Sequence, residues 1–277
     1  MATFDYWGTK SKNVPCNFIF GFGSIINDES RKSTVPEAGD AFPVRIAKEF
    51  GYRRVWNFQS PSAKLTALGL IKDPNKQTTI NGVIYPVLGD DVSKFDEREE
   101  GYTRMEIPSY YIESYNWQEL PKHKFKVWVY VPNGKNDVPG IDLVPPDKYY
   151  PILQTYIDIV IIGCLKYGID YAVEFLYTTG WWNKYWLNDR QVPRRPWIFQ
   201  KKYKDVDHLV DNFSKTYGLE GMDDVRMNYY IESKLPVEFS VYFTEEIGDA
   251  VHGQTHKYYP NRTHPDTVTD LICECKN

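Results

Sequence analysis

The chain of 277 residues is poor in cysteine and has no long apolar run. Its four cysteines, Cys16, Cys164, Cys273 and Cys275, form no CxxC pair, which excludes a dense disulfide framework. The longest apolar stretch, IVIIGCL at 159–165, is flanked by Asp158 and Lys166 and is far too short to cross a bilayer. The opening MATFDYWGTKSKNVPC contains no apolar h-region. No secretion signal is therefore expected, and the sequons at Asn212 and Asn261 carry no weight. The expected setting is a reducing cytoplasm, without a membrane partner. A dominant charge sign is also missing. The net charge of -4 speaks against broad nucleic-acid binding but leaves room for a local anion site. No P-loop, GxSxG, HExxH or helix-opening GxGxxG pattern occurs, so no organic cofactor is expected.

What is present fits a globular protein. Apolar residues make up 42% and charged residues 25%, and the length suits one large domain or two small ones. Aromatics reach 16%, enough both to fill a core and to line a pocket. Residues 17–132 read as strands joined by turns: NFIFGF, VRIAKEFGYRRVWNF (44–58), LTALGLI (65–71), TINGVIYPVL (79–88), MEIPSYYIESY (105–115) and KFKVWVYVP (124–132). Between them, 90–101 has helical spacing, with Val92 and Phe95 on one side and Ser93 as a candidate cap. After a turn-rich connector at 133–148, the period changes. Tyr149, Ile152, Leu153, Tyr156, Ile157, Val160, Ile161 and Cys164 form one apolar face of a predicted helix ending at Gly168. A second helix is predicted over 170–179 with Asp170 as cap, a third near 205–217, and a strand at 237–243. The predicted organisation is an N-terminal segment (1–16), a strand-rich unit (17–132) and a mainly helical extension (133–277).

Three groups of residues invite chemistry. In NFIFGFGSII, a buried strand runs into Gly21, Phe22, Gly23, Ser24 and Ile25. Glycines there suit a tight turn with positive φ, or a backbone cradle whose N–H groups grip an anion. The acidic cluster Asp96, Glu97, Glu99 and Glu100 reads as a solvated helix face, or as a source of one inward carboxylate. If Phe95 packs into the core, Glu99 four residues later shares its side, where partial burial and negative neighbours favour general-base work. Arg53 and Arg54 point to opposite faces of a strand. Arg54 is favoured as the partner of a substrate carboxylate, with a surface salt bridge the plain alternative for both. His252 and His256 in HGQTH, with Cys273 and Cys275, read as a zinc site or as a polar tail; CxC is poor zinc spacing and no metal is expected. Arg194 and Arg195, set among prolines, could clamp a second carboxylate or form an exposed basic loop.

These motifs carry a family resemblance. FIFGFGSII resembles the FGYGSL signature of the gamma-glutamylcyclotransferase superfamily, most of all its ChaC-type branch. GYRRVW (51–56), LGLIKDPNKQTTINGVIYPV and FDEREEGY (95–102) resemble that branch's GYRRxF, LGL…GVLYxV and LDxREKxGY, in the same order. The resemblance covers about residues 17–132. It implies a small mixed β-barrel with helices packed around it, an α+β fold. It also implies cyclisation of a γ-glutamyl amide to 5-oxoproline and an amine, without metal or cofactor. Glu99 is then the catalytic acid and base. Phe22, Gly23, Ser24 and Ile25 hold the glutamyl end, and Tyr102 completes the pocket. Phe22 stands where the family has tyrosine and Ile25 where it has leucine. Glutathione, releasing Cys-Gly, is the favoured small-molecule substrate, with other γ-glutamyl peptides or glutathione conjugates possible. The alternative is a non-catalytic binding or interaction module on the same barrel. Oligomeric state stays open.

Overall fold

The computed structural model describes residues 17–217, apart from 34–40, 62, 88–90, 100, 116–119, 121–124, 135–138, 141–142, 183–184 and 191–199. Strand β1 (Asn17–Gly21) leads through a single 3-10 turn, Ser24–Ile26, into the short helix α1 (Asp28–Lys32). Strands β2 (Phe42–Ile46), β3 (Tyr52–Ser60), β4 (Leu65–Lys72) and β5 (Ile80–Val87) follow. Helix α2 (Asp91–Arg98) precedes β6 (Tyr102–Ile107), β7 (Ile112–Ser114) and β8 (Lys126–Pro132). Then come β9 (Ile152–Leu153), helices α3 (Gln154–Leu165) and α4 (Ile169–Thr178), β10 (Thr179–Gly180), β11 (Trp186–Leu187) and helix α5 (Tyr203–Tyr217).

The architecture is mixed α+β, and several sequence segments divide more finely than their composition suggests. The stretch 44–58 is broken by a 3-10 turn at Lys48–Phe50, and 105–115 by another at Ser109–Tyr111 behind Pro108. Proline has no N–H for a strand ladder, which explains the second break. Helix α2 starts at Asp91, so Ser93 lies in its first turn and is not the cap. Asp170 likewise sits in the first turn of α4, behind Gly168. Tyr149 falls outside α3 and is 54% exposed. The strand expected at 237–243 lies outside the described residues.

Among the described residues the strands form three sheets, ordered β6-β8-β1-β5-β2-β7, β10-β3-β4 and β11-β9. Strand β1 sits inside the largest, antiparallel to β5 and parallel to β8, so Phe18, Ile19 and Phe20 are buried on both faces. No closed barrel is present among the described residues, which corrects the expected one. The hairpin β3–β4 takes β10 as its third strand instead of joining the large sheet. Yet the large sheet must curl. Its two edges, β6 and β7, are consecutive in the chain. A flat six-stranded sheet is about 24 Å wide. The five steps from Ile107 to Ile112 span at most about 18 Å. The edges therefore approach each other across the Ser109–Tyr111 turn without pairing.

Helix α3 is buried on nearly every side from Gln154 to Ile161, not along a single stripe. Its polar residues consequently need partners. Thr155 N–H donates to Asp189, Gln154 donates to Asp158 at 2.7 Å, and Trp186 Nε1 donates to Gln154 at 2.9 Å. Arg190 joins Asp158 to Asp207 of α5 at 2.7 and 2.9 Å. Burial pushes the Asp158 carboxyl up, and the Arg190 guanidinium works against that shift. One hydrophobic cluster runs from Phe18 in β1 through Trp56 and Val129 to Phe175 and Phe213 in the late helices.

Asn27 fastens the turn after β1 to this helix. Its Oδ1 accepts from Glu29 N–H at 2.9 Å and Ser30 N–H at 3.3 Å, capping α1, while Nδ2 donates to Ile159 O at 3.2 Å. Asn27→Ala is expected to lower the unfolding free energy by about 1–3 kcal/mol in urea titrations. Asn27→Asp, which keeps the cap but loses the donor to Ile159, should fall between that variant and wild type.

Candidate active site

The bend after β1 is built by exclusion. Gly23 has φ -132°, and neither it nor Gly21 has positive φ, so the turn-tolerance reason for glycine does not apply here. Room is the reason. A Cβ on Gly23 would lie 3.0 Å from Tyr156 Oη and 3.7 Å from Leu68 Cβ. The Ser24–Ile26 turn begins at Gly23, whose carbonyl accepts from Ile26 N–H at 3.0 Å. Among the described residues, no acceptor meets the N–H groups of Gly23, Ser24 or Ile25, and all three residues are half-buried. Phe22 is buried, its ring packed against Phe20. The hydroxyl beside the bend is that of Tyr156. It belongs to the core stripe of α3 in sequence, and only the fold carries it to Gly23.

Glu99 stands in the turn that closes α2. Phe95 is fully buried, and Glu99 N–H donates to Phe95 O at 2.9 Å, extending the helical pattern by one residue. Glu99 is half-buried. Its carbonyl accepts from Tyr102 N–H at 2.9 Å, which starts β6. The rest of the acidic cluster divides. Asp96 accepts from Arg104 at 2.8 Å and from the Tyr130 hydroxyl at 2.9 Å, Glu97 is exposed, and Glu100 lies outside the described residues. Burial and the bond to Asp96 push the Tyr130 phenol far up, and the charge of Glu99 adds to that shift. Tyr130 therefore stays protonated.

Gly23 of the bend and Tyr102, three residues after Glu99, both touch Leu68 of β4. The Tyr102 hydroxyl donates to Leu68 O at 3.3 Å, and its ring packs on Phe58 at 4.3 Å. Leu68 is the same residue whose side chain faces Gly23. β1 and β8 run parallel from a common start at Asn17 and Lys126, β8 being two residues longer, and β6 begins opposite the end of β8, with Tyr102 paired to Pro132.

Arg54 is placed otherwise than expected. It is fully buried and its nitrogens are engaged by protein acceptors. Nε donates to Thr179 Oγ1 at 2.7 Å; one terminal nitrogen donates to Asn81 O at 2.7 Å and Phe22 O at 3.4 Å. The other donates to Asn81 Oδ1, Thr178 Oγ1 and Phe175 O at 2.8, 2.9 and 3.1 Å. The pairing of β3 with β10 and the carbonyl end of α4 draw this side chain inward, while Arg53 is half-buried on the other face. Burial lowers the guanidinium to about 10. Cys164, beside it, is pushed by burial up to about 12 and is inert as a nucleophile.

Arg194, Arg195, His252, His256, Cys273 and Cys275 lie outside the described residues. Among the described residues no three His, Cys, Asp or Glu side chains are grouped to hold a metal, and no helix is long and apolar enough to cross a membrane.

No protein-family model matches the chain and no curated protein matches it. A solved structure described as a gamma-glutamyl cyclotransferase is 13% identical, with 68% of this chain and 96% of that chain covered, at a TM-score of 0.44. An uncharacterized human protein gives 13%, 68%, 96% and 0.41 in the same order. A yeast cyclotransferase described as specific to glutathione gives 16%, 58%, 96% and 0.32. At TM-scores this low the likeness settles neither fold family nor chemistry.

Arg54 has six acceptors to serve, so Arg54→Lys, with three donors, is expected to strand some of them and Arg54→Met all of them. Both should lower stability, by about 3 kcal/mol or more for Met. A denaturation midpoint within about 0.5 kcal/mol of wild type would contradict the assignment of Arg54 to the fold.

Proposed function

We propose that the chain is a gamma-glutamylcyclotransferase-type enzyme. The observation that supports this reading is that Leu68 touches both a bend with three acceptor-free N–H groups and Tyr102, whose own N–H is bound to Glu99 O. A carboxylate ligand suits the bend. Its amides donate, and the Arg54 guanidinium behind Phe22 O adds a buried positive charge. In the proposed reaction the α-amine of a γ-glutamyl group attacks its own γ-amide carbonyl. A C–N bond closes a five-membered ring, and the original amide C–N bond breaks. The attacking ammonium loses two protons on becoming a ring amide. The departing nitrogen gains two on leaving as an ammonium, so no proton is consumed.

Glu99 is the group that would move those protons, accepting from the amine and returning to the leaving nitrogen. It is half-buried in the turn that closes α2. Ring closure gains from having both reactants on one molecule, provided the site folds the glutamyl chain into its attack geometry. Glutathione is the substrate we favour, giving Cys-Gly and 5-oxoproline. Other γ-glutamyl amides share the same reacting atoms and differ only in the amine released.

Glu99→Gln keeps shape and removes the base. It is expected to cut 5-oxoproline release from glutathione by about 10²–10⁴-fold with an unchanged melting temperature. Near-normal release would remove Glu99 from the mechanism. A wild-type protein that releases no 5-oxoproline from any γ-glutamyl amide would overturn the reading.

A further inference from the structure

Asn57 is 1% exposed, and among the described residues neither its Oδ1 nor its Nδ2 meets a hydrogen-bond partner. A buried carboxamide in that condition is costly, and such groups are normally satisfied. Its position is constructed. Asn57 is the extra residue of a bulge in β3, between the pairs Trp56↔Leu68 and Phe58↔Ala67, and bulges re-aim side chains. The carboxamide occupies space that only glycine at position 69 leaves open. A Cβ there would lie 2.1 Å from Asn57 Oδ1 and 2.4 Å from Pro132 Cγ. Pro132 pairs with Tyr102, whose N–H is bound to Glu99 O.

The neighbouring Trp56 carries a second bare group. Its Nε1 has no acceptor and the residue is fully buried. The Trp56 ring meets that of Tyr156, whose hydroxyl abuts Gly23. Adjacent residues of one bulge thus hold unspent polar groups next to both halves of the candidate site.

We propose that Asn57 recognises the α-amino-acid end of the ligand. Oδ1 accepts from the amine, and Nδ2 donates to the carboxylate on the same carbon. A carboxamide presents one acceptor and one donor side by side, which matches an amine and a carboxylate one carbon apart. The inference deepens the cyclotransferase reading and rests on it for the choice of ligand.

Titration calorimetry of L-glutamate and of glutarate, which lacks the amine, into wild type and Asn57→Leu tests it. Wild type is expected to prefer L-glutamate by about tenfold or more, and the variant to discriminate by less than about twofold. The variant's melting temperature should hold or rise, since a bare polar group has been removed. Asn57→Ser serves the same comparison if leucine is not tolerated. Undiminished preference in the variant, or none in wild type, overturns the proposal. So does a drop of several degrees with the preference kept, which would mark a structural role through buried water. Release of 5-oxoproline is read separately. Lost discrimination in the variant without cyclisation by wild type sinks the enzyme and leaves Asn57 as a recognition residue. Cyclisation with discrimination intact in the variant does the reverse.

Discussion

The Arg54 guanidinium ties together three pieces of chain that are remote in sequence: the bend after β1, strand β5, and the junction of α4 with β10. No carboxylate is among its hydrogen-bond partners, which are carbonyls, hydroxyls and the Asn81 amide oxygen. Burying a cation on such terms is costly unless every N–H is answered. The Phe175 ring, 3.8 Å away, adds its electron-rich face, and the carbonyl end of α4 contributes partial negative charge. The late helices are therefore not an accessory to the sheet. Without Thr178, Thr179 and Phe175 the guanidinium would be left short of acceptors, and Phe22 O would lose its neighbour.

That dependence shapes the site. The Phe22–Gly23 peptide has its oxygen turned to Arg54, and a trans peptide then sends the Gly23 N–H the other way. Tyr156 of α3 closes on Gly23 from one side and Leu68 of β4 from another. The large sheet sets the start of β6 against the end of β8, and Gly69 of β4 lies close to Pro132 there. Elsewhere in the interior Gln154, Thr155, Asp158 and Asp189 are all paired, while Arg31 Nε and Thr78 Oγ1 are left bare. The bare atoms of Asn57 and Trp56 differ in sitting on adjacent residues of the β3 bulge, beside Gly69 and Tyr156.

Much of the local structure was legible in the chain. β-branched and aromatic runs gave strands, and the apolar steps after residue 150 gave helices. Phe95 turned inward, as the spacing with Val92 required, which brought Glu99 to the sheltered end of α2. The failures have physical causes. Arg54 was read as a ligand contact because a lone strand shows only two faces; the third partner, β10, comes from 125 residues later, at Thr179. Helix α3 was read as one-sided because its polar residues looked solvent-bound, whereas Asp189 and Arg190 follow it inward.

By itself the sequence determined which segments were strand or helix, that Gly23 and Ser24 end a buried strand, and that one acid sits behind a core phenylalanine. Those follow from periodicity and side-chain volume, which act over a few residues. Only the tertiary structure decided that Arg54 serves the fold, that Tyr156 limits the bend, and that a bulge leaves Asn57 bare. Each depends on which distant atoms fill, or fail to fill, the space around a group. No local pattern encodes that.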